Sequence, residues 1–310
     1  MDRWQLRPAT YRTICVVAMS LVCLAVVTGA AVRLTGSGLG CDDWPRCSDS
    51  KVVDVSTGHA AIEQINRLLT GLISLVVIAA VLAARWRAPR RRDLTVLSYG
   101  LVAGVLGQIV LGGITVLVDL HPAAVQAHFV LSMVLVAVAV VLVVRAGRPD
   151  GVAGISASRS IRRHVDALVA ATGLAIVLGT VVTGAGPHAG DEDARRFGIS
   201  ISNAARIHSV AVWIAVAVAL ALGIRLSRRA ADRRILDAPL TAWVAVALLQ
   251  AAVGYVQYFN DIPSLLVGLH VAGATALWTV SVWLWCCART ARDERSAEVA
   301  DELRTLVDHA

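Results

Sequence analysis

The sequence has almost no lysine: Lys51 is the only one, so the formal net charge of +7 rests on arginine. Charge of either sign is also sparse, 16% of 310 residues against 57% hydrophobic. A water-soluble domain carries about a quarter charged residues, so this composition excludes that class and assigns the chain to a bilayer. No basic stripe interleaved with aromatics occurs. The arginines fall in short clusters between apolar runs, which excludes a nucleic-acid partner. No small-residue cleavage site follows the first apolar run before Arg33. That run is also too long for a secretory core, so it reads as an uncleaved first span. No span is broken by glycine or proline with charges at mid-depth, which weakens a permease or transporter reading.

What is present is a series of apolar runs of about 20 residues, each enough to cross a hydrocarbon core of roughly 30 Å. They lie near 13–32, 62–84, 94–117, 123–144, 165–185, 202–224, 240–258 and 264–287. The expected fold is an all-α, multi-pass protein of the cell (plasma) membrane with eight transmembrane helices. Five segments carry 22 of the 29 basic residues: the N-terminus with Arg3, Arg7 and Arg12, then Arg85 to Arg92, Arg145 to Arg163, Arg225 to Arg234, and Arg289 to Arg304. These alternate with poorer segments, so both termini are expected in the cytoplasm and the loops 33–61 and 186–201 outside. Cys41 and Cys47 fall in the first outer loop, within Gly40-Cys41-Asp42-Asp43-Trp44-Pro45-Arg46-Cys47. An oxidising compartment favours a local disulfide there, two free thiols being the alternative. Cys15, Cys23, Cys286 and Cys287 read as small apolar residues, with acylation of the last two the weaker alternative.

The sequence repeats itself. A shift of 142 places Asn66 on His208, Gln108 on Gln250, Gly112 on Gly254 and His128 on His270. The first helices of the halves match as Val27-Thr28-Gly29-Ala30 on Val182-Thr183-Gly184-Ala185, at a shift of 155. Four spans per half is an even number, so the repeats are expected to be parallel four-helix bundles. The implied organisation is an amino-terminal half over 1–144, a cytoplasmic linker over 145–164, a carboxy-terminal half over 165–287 and a tail over 288–310. Val299, Leu303 and Leu306 share one face of a short surface helix in that tail.

His128, His208 and His270 lie five or six residues inside the fourth, sixth and eighth spans, all of which start on the outer side. At 1.5 Å per residue they share a depth of about 8 to 9 Å. One intramembrane histidine is accounted for by a helix–helix hydrogen bond. The pairing of His208 with His270 on related helices points instead to a metal, and the two read as axial ligands of a low-spin haem b. By the repeat, His128 and position 66 form a second site. Position 66 is asparagine, a poor iron ligand, so the second axial place there is weak or open. Glu63 lies one turn before Asn66 and reads as a base or proton relay, a favourable helix-start acid being the alternative. Arg67 and Arg206 stand beside the axial positions, as partners for haem propionates or as simple snorkelling side chains. His59, His121 and His188 belong to outer loops, with His59 a conceivable substitute ligand; His164 and His309 are cytoplasmic.

Together these residues resemble the haem A synthase family, which has eight spans in two halves, an outer-loop cysteine pair, and histidines opening the even-numbered helices. The family's second helix carries Glu-x-x-His-Arg, and here it reads Glu63-Gln64-Ile65-Asn66-Arg67. The resemblance covers 13–287. It implies oxidation of a ring methyl of haem O to the formyl of haem A for terminal oxidase biogenesis. On that reading His208 and His270 hold haem b, His128 is a ligand of the substrate haem, and Glu63 is the catalytic acid residue. Cys41 and Cys47 would form a redox-active or structural pair. Implied partners are haem O from a haem O synthase, an electron donor and membrane lipid, with homo-oligomerisation left open. Asn66 departs from the pattern, so a haem-binding cytochrome or paralogue without the oxidation is the alternative.

Overall fold

The computed structural model describes residues 5–150 and 156–289. It consists of α1 (Pro8–Leu34), α2 (Gly58–Trp86), α3 (Arg92–Leu117), α4 (Pro122–Ala146), α5 (Arg159–Ala185), α6 (Ile201–Ser227), α7 (Ala230–Phe259) and α8 (Ser264–Arg289). All eight are long and apolar enough to cross a membrane, and the chain is a multi-pass membrane protein. Among the described residues there is no strand, only isolated bridges at Leu6–Arg87 and Ser48–Lys51. A bilayer offers no water to unpaired backbone groups, so each span must satisfy its own, which helices do. Large apolar side chains such as Leu75, Leu220 and Leu248 point outward, as lipid-facing positions should.

The helices outrun the apolar stretches that announce them. Thr57 caps α2 by accepting from the Ala60 N–H at 3.1 Å, and Ser200 caps α6 by accepting from the Asn203 N–H at 3.3 Å. Proline opens α1 and α4, where its missing N–H has no partner to lose. α5 begins at Arg159 and α7 at Ala230, several residues ahead of the apolar runs at 165 and 240, and α7 contains Pro239. With 30 residues, α7 is roughly 45 Å long, well over the hydrocarbon thickness.

α1 packs against α2 and α4, and α3 against the same two; α5 packs against α6 and α8, and α7 against those two. The helices thus close into two four-membered rings, joined where α1 and α4 meet α8 and where α4 meets α5. One apolar core contains Tyr11, Val77, Leu101, Val136 and Leu142; the other contains Ile161, Leu168, Leu222, Leu236 and Leu284. Polar stitches cross the seam. The Trp278 indole donates to the Met133 carbonyl at 2.8 Å, Gln126 Nε2 to Thr180 Oγ1 at 2.7 Å, and Arg33 Nη2 to the Thr183 carbonyl at 2.6 Å. The tail beyond Arg289, with Val299, Leu303, Leu306 and His309, lies outside the described residues.

Arg87, after α2, is fully buried and grips Asp150 with Nη2 at 2.7 and 2.8 Å from its two oxygens. A buried ion pair is costly to halve, because the survivor keeps its desolvation and loses its partner. Arg87→Ala is expected to destabilise the protein by about 3 kcal/mol, the low end for such pairs because Asp150 is itself 25% exposed. The thermal midpoint in detergent reads this loss; an unchanged midpoint would show the pair to be decorative.

Candidate functional site

α6 and α8 stand across their ring from each other, and each carries one histidine about two turns from its start, His208 and His270. Their ring centroids are 6.5 Å apart and their planes cross at 78°. Imidazole binds a first-row metal at about 2.0 Å from a nitrogen that lies about 1.1 Å from the ring centroid, so two rings on one iron stand roughly 6.2 Å apart. The observed separation fits a single iron between them.

His208 Nδ1 lies 2.9 Å from the Ala175 carbonyl of α5. A carbonyl only accepts, so that nitrogen carries the proton and Nε2 keeps its lone pair free for a metal. The ring also lies against Gly179 of α5, where an added Cβ would come within 3.3 Å of Cε1. His270 rests in the same way on Gly254 of α7, at 3.1 Å, and its Nδ1 is buried without a partner among the described residues. A polar ring closed in without an internal partner fits a site completed by something other than protein. Gln250 Nε2 donates to the His270 carbonyl at 3.0 Å, anchoring the turn that carries the ring.

The amino-terminal ring has matching features. His128 of α4 rests on Gly112 of α3, at 3.4 Å, and its Nδ1 is likewise buried and unpartnered. Gln108 Nε2 donates to the His128 carbonyl at 3.2 Å and to Ser132 Oγ at 2.7 Å. On α2, however, Asn66 bonds to α1, with Thr28 Oγ1 3.0 Å from its Oδ1. Among the described residues no three of His, Cys, Asp and Glu cluster to hold an ion. Two imidazoles suffice for haem iron, since the porphyrin supplies the equatorial nitrogens.

Glu63 is buried beneath the loop between α1 and α2. Its Oε2 accepts from the Cys41 N–H at 2.8 Å, and its Oε1 accepts from Arg67 Nε and Nη2 at 3.0 and 2.7 Å. Arg67 also donates to the carbonyls of Arg46 and Asp43, at 2.9 and 3.1 Å. Cys41 and Cys47 form a disulfide, so the loop it closes is pinned to α2 through the Glu63–Arg67 pair. The same loop lays Trp44 on α3: a Cβ at Gly113 would come within 2.6 Å of the indole. The structure thus gives Arg67 partners in the loop, while Arg206 is exposed and has no partner among the described residues. His59 is exposed, with Nδ1 2.9 Å from Ser37 Oγ; His121 caps α4; His188 Nε2 lies 2.8 Å from the Ile262 carbonyl and His164 Nδ1 2.8 Å from that of Ser160.

Gly40 is the tightest point of the loop, where an added Cβ would lie 2.3 Å from the His59 carbonyl oxygen. Backbone cannot yield as a side chain does. Gly40→Ala is therefore expected to cost about 1–3 kcal/mol and to speed reduction of the disulfide, read by thiol labelling after mild reductant. Labelling no faster than in the wild type would count against the contact.

Sequence reasoning did not anticipate Gly113 or the backbone carbonyl of Ala175, and gave no contact to Thr28, which stood only in the repeat, or to Trp44, which stood only in the cysteine loop. Gln108, Gln250, Gly112 and Gly254 were visible only as repeat matches, and each contacts His128 or His270.

A profile of the cytochrome oxidase assembly protein family matches residues 12–282. The chain is similar to the protein named haem A synthase of Listeria welshimeri, 28% identical over 172 residues, which is 53% of this chain and 56% of that one. It is similar to those of Geobacillus thermodenitrificans (34% over 102 residues, 32% and 31%) and Lysinibacillus sphaericus (25% over 163 residues, 51% and 53%). The chain spans about half the length of the first of these curated relatives. The profile, by contrast, runs through nearly all eight helices, and the chain belongs to the cytochrome oxidase assembly protein family.

Proposed function

We propose that this chain is a haem A synthase, an oxidoreductase that converts the ring methyl of haem O to the formyl of haem A. The observation that carries the reading is the His208–His270 pair, whose 6.5 Å separation suits axial ligation of one haem b. His128 is the protein ligand of the haem in the amino-terminal half. The contacts of Gln108 and Gly112 with His128, and of Gln250 and Gly254 with His270, support a parallel repeat of two haem-binding halves. Basic residues at the opposite end of the bundle support cytoplasmic termini, with both sites near the outer face of the plasma membrane.

When bound, haem supplies one-electron transfer in the carboxy-terminal half and oxidising chemistry in the amino-terminal half. The chain's own residues position it. Ala175 holds His208 in the tautomer that leaves Nε2 free, and the glycines let the Cε1 edge of each ring approach a neighbouring helix. Glu63 is the carboxylate nearest Asn66 along α2 and is the candidate for handling protons there. Arg206, exposed and without a partner among the described residues, suits a propionate. Haem O would come from a haem O synthase, and electrons from a separate donor.

Asn66 favours a second reading, a membrane cytochrome that binds haem without oxidising it. Co-expression with a source of haem O, followed by pigment extraction, separates the two. A formyl-bearing haem is expected; haem b alone would support the cytochrome, and no haem at all would revive a permease.

A further inference from the structure

Asn66 stands where the repeat puts His208, and the two side chains are held differently. Thr28 and Thr183 are counterparts on α1 and α5. Thr183 Oγ1 turns back on its own helix and donates to the Gly179 carbonyl at 2.7 Å, the ordinary choice for a threonine inside a helix. Thr28 Oγ1 lies 3.3 Å from the Ala25 carbonyl but 3.0 Å from Asn66 Oδ1. A hydroxyl has one proton, and the nearer acceptor is the carboxamide oxygen. With Oδ1 turned to α1, Nδ2 is directed away from it, carrying two N–H donors and no partner among the described residues. Its lone pair is delocalised into the amide, so this nitrogen donates hydrogen bonds and does not ligate iron.

We propose that Asn66 is a hydrogen-bond donor to the small acceptor-bearing ligand that occupies the amino-terminal site on the side away from His128, and that Thr28 is the positioning residue that fixes its orientation. The proposal rests on the reading of that half as a haem site. It turns the departure from a second histidine into a function: α2 offers polarity toward a diatomic of dioxygen's size in place of a competing imidazole. A donor held in advance gives its hydrogen bond without reorganisation when the ligand arrives. α6 lacks the arrangement, since His208 fills the equivalent place and Thr183 is committed to its own helix.

The test uses the full-length protein, purified in detergent with its haems, reduced and exposed to carbon monoxide. The C–O stretching frequency of the adduct reports donors beside it, and the low-spin haem of the carboxy-terminal half, which has no free axial place, serves as the folding control in each sample. Asn66→Leu is expected to move the stretch to higher wavenumber, and Asn66→Asp, which keeps the acceptor for Thr28 but offers no amide donor, to do the same. Thr28→Val is expected to raise and broaden it as the carboxamide loses its fixed rotamer. An unchanged or lowered frequency in Asn66→Leu overturns the donor role, and so does failure of the wild type to bind carbon monoxide while its low-spin haem is present. An unchanged band in Thr28→Val overturns the positioning role. Absence of any haem spectrum would instead remove the functional reading on which the proposal stands.

Discussion

Replacing His270 with alanine is expected to remove the low-spin haem altogether, lowering haem content by one per chain and ending haem A formation. On the proposed reading the imidazole is one of two ligands of that iron among the described residues, its ring centroid 6.5 Å from that of His208. Loss of a mere outer partner of a metal ligand costs about 10–100-fold in affinity, so loss of a ligand itself should exceed that range. His208→Ala should behave alike, because the Ala175 contact that orients its ring has no other side chain to hold. His188→Ala is the control: its ring bonds the Ile262 carbonyl between the α5–α6 and α7–α8 loops, and its removal should leave the spectrum intact. Haem content by pyridine haemochrome and the low-spin signal in electron paramagnetic resonance check the set. Full retention of the low-spin signal in His270→Ala would dismiss the bis-histidine site, and the enzymology with it.

The spans and the paired histidines were legible because both follow from periodicity and length. A run of 20 apolar residues has few uses outside a bilayer, and an imidazole at the same depth in related helices needs a common reason. The helix ends were not legible in the same way. Hydropathy marks what lies in hydrocarbon, whereas α5 from Arg159 and α7 from Ala230 continue through polar residues because a helix goes on until its end groups find caps. The loop over the amino-terminal half was legible only as a cysteine pair. That Cys41 donates its N–H to Glu63, that Arg67 reaches Arg46 and Asp43, and that Trp44 lands on Gly113 are contacts between residues distant in sequence. No spacing rule encodes them. The spacing of Glu63 and Asn66 suggested a shared face, and their actual partners differ: the loop for one, Thr28 for the other.

Those partners sharpen what Glu63 should do when replaced. Glu63→Ala is expected to abolish haem A while the low-spin haem remains, since His208 and His270 stand in the other ring. Alanine alone does not separate chemistry from position, because it also leaves Arg67 without its carboxylate and the Cys41 N–H without its acceptor. Halving this pair should cost about 3 kcal/mol, the low end for buried pairs, Arg67 being 22% exposed. The 41–47 loop would then lift, carrying Trp44 off α3 next to the glycine that seats His128, and disulfide reduction would accelerate. Glu63→Gln divides the two effects. Its carbonyl oxygen can still accept from the Cys41 N–H and hold the loop, while its amide nitrogen then meets the Arg67 guanidinium donor to donor. The thermal midpoint should therefore fall part of the way toward that of the alanine variant, with Cys41–Cys47 still slow to reduce; a neutral amide cannot take up a proton. Haem A is therefore expected to vanish in Glu63→Gln as completely as in Glu63→Ala, with the loop loosened further in the alanine variant than in the glutamine variant. Should the glutamine variant make haem A at the wild-type rate, Glu63 would be a strut beneath the disulfide loop, and proton handling in the amino-terminal site would belong to another group.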